Sequence, residues 1–454
     1  MKTFCSVLVV GLFSTAILNV GFSQQADFAE NTWTRNVGED WRGFLGPTAD
    51  GKSTEKGILK DWSKNKLNLV WKAETGEGYG IGTFHLGRYF HFDRDGNDAR
   101  LRCLNAETGK LMWQYRYPSK YRDLYGYDSG PRASPIADGN FVYLYGVEGM
   151  LTCVDIRNGK KVWAVDTAER FDVVQNFFGV GSSPVVVGDK LLVMVGGSTS
   201  KERVLRPQLM RSVKPNGSLL VALDKRDGKV LYQSGDDLAS YSTPKVTKIA
   251  GQELALVWGR ESLHGFKVDD GTQVFEFPWR ARILESVNAS SPVVKGSNIL
   301  LTECYGPGSV MLNFENGDVD SVWSDEDRRG KAMAAHWNTP VQIGEHGYGS
   351  SGRNAGDAKL KCFEWATGKV LWEEKGWGRA SITMIDGHLV ILGEYGRLGL
   401  AKATPKGFEL VTEWESEKQK LSYPCWAAPV ISHGLMVVRG KKEVLCFDLI
   451  PERE

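Results

Sequence analysis

Three stretches of the sequence share one form: CLNAETGKLMW at Cys103–Trp113, CVDIRNGKKVW at Cys153–Trp163 and CFEWATGKVLW at Cys362–Trp372. In each, a glycine stands six residues after the cysteine, and a tryptophan stands four residues after the glycine. The glycine suits a tight turn with positive φ, and the apolar residues on both sides are typical of β-strands. The pattern therefore predicts a repeated β-hairpin with the tryptophan as its recurring packing residue.

This hairpin belongs to a longer unit that recurs along the chain. The turn glycines from Gly109 to Gly368 are 43–69 residues apart, and a second marker such as SSPVVVGDKLLV (182–193) precedes each turn. Each unit contains four short strands, which is the form of a β-propeller blade. Leu67 to Ile450 spans 384 residues, or 48 for each of eight units. We therefore predict an all-β, eight-bladed propeller.

The two ends of this region predict how the ring closes. The last unit stops after its third strand, whereas LNLVWKAETG (67–76) resembles a fourth strand with no strands before it. We expect residues 67–76 to pair with the last blade and so remove both free sheet edges. The alternative is an independent N-terminal strand.

The N-terminus, MKTFCSVLVVGLFSTAILNVGFSQQ, has a lysine, then a mostly apolar stretch, then small residues up to Ser23. This pattern predicts a secretory signal peptide over residues 1–23, with an uncleaved membrane anchor as the alternative. Residues 24–66 are then a lead-in segment, and residues 67–450 form the propeller domain. We expect an exported protein of the periplasm, cell envelope or extracellular space, with no membrane span after signal cleavage.

Charge and cysteine usage exclude several classes of function. The chain has 56 basic and 55 acidic residues, so no overall field attracts nucleic acid, and we expect a monomer. Export permits disulfides, but cysteines such as Cys103 and Cys153 hold equivalent positions in different units, too far apart to bridge. We expect mostly free, buried thiols. No cysteine or histidine spacing indicates zinc.

One interval between units contains an insertion, GGSTSKERVLRPQLMRSVKPNGS (196–218), with five basic residues and one acidic residue. It is interpreted either as a docking arm for an acidic partner or as a solvated surface loop, and the second is favoured.

The repeated pattern C/A-x-D/N-x-x-T/N/D-G-K-x-x-W resembles that of the quinoprotein-like, or PQQ-repeat, β-propellers. This superfamily includes quinoprotein alcohol dehydrogenases and the periplasmic scaffold lipoprotein of the outer-membrane barrel-assembly machine. The resemblance implies that an aromatic residue on the fourth strand packs between blades, against the tight turn of the next one. The docking aromatics would be Trp71, Trp113, Trp163, Tyr232, Phe275, Trp323 and Trp372, with Trp414 as an eighth in a degenerate unit.

The resemblance supports two functions. A quinone-dependent dehydrogenase of this family is expected to have a vicinal Cys-Cys pair, a tryptophan platform and a Glu/Asn/Asp set for Ca²⁺, but this chain has no adjacent cysteines and no CxxCH haem motif. The leading hypothesis is therefore a non-enzymatic scaffold that binds an envelope protein or a small-molecule or carbohydrate ligand. The alternative is a PQQ- and Ca²⁺-dependent oxidoreductase that uses Trp337, Glu303 and Asn288.

Propeller topology predicts where either function would be located. Loops that lead into first strands, and turns between second and third strands, emerge on one face around the axis, and here they are rich in Arg, Glu, Asn and aromatic residues. Arg beside Trp suits planar, anionic or sugar-like ligands, Glu303 with Asn288 could hold Ca²⁺, and His336 is placed for acid–base chemistry. The alternative is an internal salt-bridge network that stiffens this face. The candidate ligand-binding residues are Arg132, Tyr241, Arg280, Arg282, Asn288, Glu303, His336, Trp337, Arg353, Arg379, Glu394 and Trp426; no catalytic residue is assigned.

Overall fold

Strands dominate the computed structural model, which describes Met1 and residues 28–63, 66–200, 212–414 and 421–450. Within these residues, 32 strands form eight separate antiparallel sheets of four strands each. The predicted all-β, eight-bladed propeller is therefore confirmed. The predicted signal peptide lies outside the described residues apart from Met1, as do residues 201–211 of the basic insertion.

The first four blades follow one another along the chain. Blade 8 receives the first strand of the chain, β1 (Asn68–Glu74). Blade 1 contains β2 (Thr83–His85), β3 (Arg88–Asp95), β4 (Asp98–Asn105) and β5 (Leu111–Pro118). Blade 2 contains β6 (Ile136–Asp138), β7 (Phe141–Tyr145), β8 (Met150–Asp155) and β9 (Lys161–Asp166), followed by the one-turn helix α1 (Thr167–Arg170). Blade 3 contains β10 (Val185–Val187), β11 (Lys190–Met194), β12 (Leu220–Asp224) and β13 (Val230–Ser234). Blade 4 contains β14 (Lys245–Ile249), β15 (Gln252–Trp258), β16 (Ser262–Lys267) and β17 (Gln273–Pro278).

The remaining blades complete the ring. Blade 5 contains β18 (Val293–Lys295), β19 (Asn298–Thr302), β20 (Ser309–Glu315) and β21 (Asp318–Ser324). Blade 6 contains β22 (Val341–Ile343), β23 (His346–Ser351), β24 (Lys359–Glu364) and β25 (Val370–Glu374). Blade 7 contains β26 (Ser381–Ile385), β27 (His388–Leu392), β28 (Leu398–Lys402) and β29 (Leu410–Glu413). Blade 8 contains β30 (Val430–Ser432), β31 (Leu435–Arg439) and β32 (Glu443–Asp448), with β1 as its fourth strand.

Strand β1 closes the ring as predicted. It pairs with β32 in an antiparallel register that runs from Asn68 opposite Asp448 to Glu74 opposite Glu443. The last blade is thus assembled from both ends of the propeller sequence, which removes the edge that an incomplete sheet would expose.

The fourth-strand tryptophans contact the next blade in two ways. The indole lies on the turn glycine of that blade: a Cβ on Gly159 would stand 2.6 Å from Trp113, and one on Gly228 would stand 2.8 Å from Trp163. The indole Nε1–H also donates to a turn carbonyl, from Trp113 to Ile156 O at 2.9 Å. The same bond is made by Trp71, Trp163, Trp323 and Trp372 at 2.8–3.2 Å.

In six of the eight sheets a Cys, Ala or Gly lies opposite the aromatic position; the exceptions are Met311 opposite Trp323 and Leu400 opposite Thr412. Cys103 pairs with Trp113, Cys153 with Trp163, and Gly265 with Phe275. A Cβ on Gly265 would stand 2.2 Å from the Phe275 ring, so the pair leaves room for little more than a glycine there. The recurring Cys, Ala and Gly of the repeat are therefore packing residues.

The cysteines behave as expected from this packing role. All six cysteines of the described residues are free thiols, and five of them are buried. Burial raises the pKa of Cys103 to about 12 and that of Cys362 to about 11, so these thiols stay protonated and unreactive at neutral pH.

Blade 7 departs from the repeat. Thr412, and not Trp414, lies opposite Leu400 in this sheet. Trp414 follows the strand, and its ring contacts Phe447 of blade 8 with centroids 5.0 Å apart. The Thr412 hydroxyl accepts a 3.0 Å hydrogen bond from the backbone N–H of Trp62, a fully buried residue of the lead-in segment. Trp62, which lies outside the repeat, thus packs beside the position where blade 7 has Thr412 instead of an aromatic residue.

The lead-in segment crosses the face of the ring that carries the hairpin turns, here called the turn face. Ala29 N–H bonds to Asn140 of blade 2, Arg35 pairs with Asp448 of blade 8 at 3.0 Å, and Lys52 forms a parallel bridge with Met384 of blade 7. The Lys245 ammonium of blade 4 donates to the carbonyls of residues 48 and 49. Since the lead-in covers this face, the opposite one, here called the loop face, is the more open end of the ring.

The packing of the tryptophans between neighbouring blades gives a first prediction. Trp163→Ala should lower the free energy of unfolding by about 3–5 kcal/mol, because it removes a buried indole and its hydrogen bond between two blades. The matched control Val162→Ala, at the neighbouring exposed position, should change it by about 0.5 kcal/mol or less. Urea unfolding followed by near-ultraviolet circular dichroism measures both. Equal losses of unfolding free energy in the two variants would contradict a packing role of Trp163 between blades.

Candidate functional site

Aromatic side chains from separate blades meet around the axis on the loop face. Trp337, before β22, lies 4.6 Å from Trp426, before β30, and Trp426 lies 4.7 Å from Tyr79, between β1 and β2. His336 meets the edge of Trp337 at 4.5 Å and Tyr305 at 5.5 Å. We call these five residues the axial cluster. Loops at four different points of the chain supply it, so the closed ring is what brings it together.

A second group of aromatics extends the axial cluster outwards. Tyr127 contacts both Trp426 and Phe178, at 6.0 and 5.3 Å, and Tyr125 contacts Phe178 at 5.8 Å. On the other side, Tyr423 stacks on Tyr395 at 5.0 Å. Four of these five rings are exposed: 44% for Tyr125, 46% for Tyr127, 63% for Tyr395 and 48% for Tyr423. We call this group of five the outer aromatics.

The Tyr125 and Tyr127 loop is held in place by a buried carboxylate. Asp123 Oδ1 accepts the backbone N–H groups of Tyr125 at 2.8 Å and Tyr127 at 2.9 Å. Its Oδ2 pairs with Arg132 at 2.8 Å, and the Arg132 guanidinium also lies over the Tyr79 ring at 5.6 Å. Arg132, a candidate from the sequence, therefore acts here by fixing the loop that presents the outer aromatics.

Arg379 and Glu394 form an ion pair that packs against the axial cluster. The guanidinium donates from Nη2 to Glu394 Oε2 at 2.7 Å and from Nε to Oε1 at 3.1 Å, while the backbone N–H of Arg379 also donates to Oε1. Its plane lies 4.5 Å from the Trp337 ring and 5.6 Å from the Trp426 ring. Since Glu394 is fully buried, Arg379 both neutralises it and holds the indoles.

His336 is held neutral beside this pair. Its Nε2 lies 3.2 Å from the Tyr305 hydroxyl, and the exposed guanidinium of Arg353 covers the Tyr305 ring at 4.6 Å. Burial, together with the positive charges of Arg379 and Arg353, lowers the pKa of His336 from 6.5 to about 3. At neutral pH the imidazole is uncharged and serves as part of the aromatic surface.

Glu303 and Asn288, the sequence candidates for Ca²⁺, are both engaged by the backbone. The Glu303 carboxylate accepts the N–H groups of Tyr305, Gly306 and Gly308 at 2.7–3.0 Å, and burial raises its pKa. The Asn288 Nδ2 group donates to two carbonyls, at residues 259 and 260, whereas its Oδ1 is buried without a hydrogen-bond partner among the described residues. Among the described residues, no three His, Cys, Asp or Glu side chains are grouped as metal ligands would be.

Two of the three residues named for a quinone and its calcium ion, Trp337 and Glu303, are engaged by other groups of the chain in this arrangement. The Trp337 ring is in contact with Trp426, Arg379 and His336, all from the same chain. The Glu303 carboxylate is turned to its own loop by three hydrogen bonds. A quinone or its calcium ion would therefore have to displace some of these contacts of Trp337 and Glu303.

The remaining sequence candidates lie on the same face but away from the axial cluster. Arg280 pairs with Glu261, Arg282 is exposed, and the Tyr241 hydroxyl accepts the Phe178 N–H at 2.9 Å. The sequence interpretation missed Asp123, Tyr127, Phe178, Tyr305 and Tyr423. The aromatic density of YRDLYGYD (121–128) was the signal available for the first two.

Comparison with known proteins assigns the family. A family profile described as "Outer membrane protein assembly factor BamB" matches residues 55–234 and 213–406, which is more than half of the chain. The chain belongs to this family. The resemblance to PQQ-repeat propellers is thereby confirmed at the level of sequence.

Curated relatives of this BamB-family chain match over shorter stretches. The dehydrogenase subunit of quinone alcohol dehydrogenase from Gluconobacter oxydans (strain 621H) is 26% identical over 203 residues, which is 43% of this chain and 27% of that protein. The corresponding subunit from Acetobacter aceti is 37% identical over 73 residues, 16% of this chain and 10% of that protein. The matches thus span only about a quarter or less of these relatives.

This chain has the same fold as several solved propeller structures, within and outside the BamB family. BamB from Moraxella catarrhalis superposes with a TM-score of 0.56 at 13% identity, covering 84% of this chain and 100% of that one. A europium-containing methanol dehydrogenase gives 0.62 at 11% identity, covering 90% and 98%. The computationally designed Ika8 protein gives 0.55 at 9% identity, covering 84% and 100%. At these identities the likeness concerns the fold alone. Within the described residues, no helix has the length and apolar character of a membrane span.

The buried ion pair yields a second prediction. Arg379→Gln should cost about 3 kcal/mol or more of unfolding free energy, because it leaves the buried Glu394 carboxylate unpaired. Adding Glu394→Gln should recover much of that loss, since the double variant buries no charge. Urea unfolding of both single variants and the double variant measures the coupling. As the control, Arg116→Gln removes an exposed pair with Asp95 and should cost at most about 1 kcal/mol.

The neutral His336 gives a pH-dependent prediction. Because its pKa is 6.5 unfolded and about 3 folded, the unfolded chain binds the extra proton between these pH values, and stability falls as pH falls from 6.5 towards 3. When the pH falls from 7 to 5, the free energy of unfolding of the His336→Gln variant should therefore decrease by about 2 kcal/mol less than that of the unaltered protein. The control is His346→Gln, on the turn face. Parallel pH profiles for the unaltered protein and His336→Gln would contradict the shifted pKa.

Proposed function

We propose that this chain is an exported, non-enzymatic scaffold of the cell envelope whose loop face binds a protein partner through the outer aromatics. The observation that carries the proposal is that carboxylates on this face are bonded within the chain while several aromatic rings are exposed to solvent. The carboxylates of Asp123, Glu303 and Glu394 are engaged within the chain, whereas Tyr125 and Tyr127 remain exposed.

The composition of this surface favours a protein partner. Tyr, Trp and Arg are enriched at the hot spots of protein–protein interfaces, and the two aromatic residues provide large contact area at low cost in conformational entropy. Here Asp123 fixes the backbone of the Tyr125 and Tyr127 loop, and Tyr423 stacks on Tyr395, so binding needs less further ordering of these segments. Membership of a family described as an outer membrane protein assembly factor supports the same class of function.

Quinone-dependent oxidation of an alcohol remains the competing function, favoured by the partial match to quinone alcohol dehydrogenase subunits. The arrangement of Trp337 and Glu303 weighs against it. The export signal predicted over residues 1–23 agrees with an envelope location for either function.

Site-specific photocrosslinking in the native host tests the scaffold proposal. Benzoylphenylalanine at Tyr127 or Tyr423 should give a discrete crosslinked protein species, because these rings are exposed on the loop face. The matched controls are Leu111 and Leu231, equally exposed on the outer strands β5 and β13, which should give none. Crosslinking no stronger at the tyrosines than at the leucines would overturn the proposal.

A second measurement tests the competing function on the purified protein. Addition of PQQ with CaCl₂ should produce neither a bound-quinone absorbance change nor dye-linked oxidation of ethanol. Alcohol oxidation that depends on both additions would replace the scaffold proposal with the enzymatic one.

A further inference from the structure

A cavity of about 480 Å³ opens on the loop face, between the loops of blades 2, 3 and 4. Its volume lies in the range of small-molecule sites. Apolar side chains from these loops line it, among them Val147, Val174, Met194, Val195 and Leu238. Neither the axial cluster nor the outer aromatics contribute to its lining, so its role does not depend on the scaffold function.

Carboxylates are concentrated on the blade 2 side of this cavity. Glu148, Asp166 and Glu169 line this side, and the exposed Lys120 is the one lysine or arginine of the lining there. Asp166 Oδ1 accepts the backbone N–H of Glu169 at 2.9 Å, which leaves the charge of both carboxylates in place. The blade 2 side is therefore negatively charged.

The Glu148 carboxylate is bonded within the chain by a neutral group. Its Oε2 accepts from the Ser119 hydroxyl at 3.0 Å, whereas its Oε1 is buried without a hydrogen-bond partner among the described residues. The charge of Arg94 acts on it from a distance, because that guanidinium donates to backbone carbonyls such as those of residues 119 and 121. Burial nevertheless raises the pKa of Glu148. A cationic group beside this carboxylate would stabilise its charged form.

A buried hydroxyl adjoins this carboxylate in the cavity wall. Ser182 lines the cavity two residues after Val180, whose N–H donates to the Val147 carbonyl at 2.8 Å. Since Val147 directly precedes Glu148, the segments of Ser182 and Glu148 lie side by side. Ser182 is 2% exposed, and its hydroxyl has no hydrogen-bond partner among the described residues. A donor group on a ligand would recover part of the free energy that such a hydroxyl costs.

The blade 4 side of the cavity has its polar groups bonded within the chain. Its lining includes Leu238, Ser240 and Arg260. Arg260 is 7% exposed and bonded within the chain, with its Nε 3.8 Å from Glu261. The Ser240 hydroxyl donates to the carbonyl of residue 258. This side is therefore suited to the uncharged end of a ligand.

We propose that this cavity binds an aliphatic amine, with its ammonium group beside Glu148 and Ser182 and its alkyl chain along the apolar walls towards Leu238. The ammonium group supplies the counter-charge that the Glu148 carboxylate lacks and a donor for the Ser182 hydroxyl. The alkyl chain covers the apolar walls. An anionic ligand would instead bring a further negative charge to the three carboxylates, and an alcohol would leave Glu148 without a counter-charge.

Equilibrium dialysis with alkyl ligands tests the proposal on the unmodified protein. Octylamine should bind, and hexylamine should bind about tenfold more weakly because it buries two fewer methylene groups. Octan-1-ol should also bind at least about tenfold more weakly than octylamine, because it forms no ion pair, and octanoate should bind most weakly of all. Absence of octylamine binding at concentrations on the order of 1 mM would overturn the proposal. Equal affinities for octylamine and octan-1-ol would overturn the assignment of an ammonium group.

A matched pair of variants locates the ammonium group. Glu148→Gln should weaken octylamine to the affinity of octan-1-ol and leave octan-1-ol unchanged, because it removes a charge and keeps the side-chain size. The control Glu253→Gln, exposed on the turn face, should change neither affinity. An octylamine affinity that survives Glu148→Gln would place the ammonium group elsewhere and overturn the proposal. Because the comparison of octylamine with octan-1-ol uses the unmodified protein, a variant that fails to fold does not remove the test.

Discussion

The contact between a fourth-strand tryptophan and the turn of the next blade is the interaction on which the ring depends. The indoles of Trp113 and Trp163 each cover a turn glycine with positive φ and donate to a carbonyl of the same turn, which fixes both the distance and the rotation between two blades. Apolar burial alone is not directional, whereas the added hydrogen bond is. Five of the eight blades make this indole hydrogen bond to the next blade, so the same directional contact recurs around the ring.

Places where the contact changes show how the ring tolerates loss of the motif. Phe275 has no indole N–H, and its ring packs against Phe314 at 5.6 Å instead of on a turn glycine. Blade 7 has Thr412 at the aromatic position, and Trp62 of the lead-in is buried there. The lead-in is thus part of the packing between blades 7 and 8. Its passage across the turn face also leaves the loop face as the more open end of the ring.

The fold could be predicted from the sequence because the repeat states the same geometric requirement many times. The spacing of Cys103 from Trp113 is enough to define a hairpin, and the missing fourth strand after Asp448 is enough to define the closure. The loops have no such redundancy. Topology placed Arg379, Glu394, Trp337 and Trp426 on one face, but which arginine neutralises which carboxylate depends on loop conformations that occur once in the chain.

The dependence on loop conformation also explains why the roles of some site residues were predicted from the sequence and those of others were not. Glu303 has the residue type and the position of a calcium ligand, yet the turn that follows it directs three N–H groups at its carboxylate, a feature of local backbone conformation. Asp123 was overlooked for the reverse reason, because its importance lies in the backbone groups it orients and not in its own chemistry. A residue type indicates what a side chain can do, and the surrounding hydrogen bonds decide whether that capacity is already used.

This distinction bears on how function is divided among proteins with this fold. A designed protein and a methanol dehydrogenase both superpose on the chain, so the ring itself implies no activity. Ion pairs within the chain also make the loop face rigid, because Arg379 and Arg132 each contact an aromatic ring and a carboxylate at the same time. Rigid, exposed rings lower the entropic cost of binding a surface, whereas catalysis needs charged groups left free to act on a substrate. The pairing of Asp123 and Glu394 within the chain, beside exposed tyrosines, therefore supports the proposed recognition function.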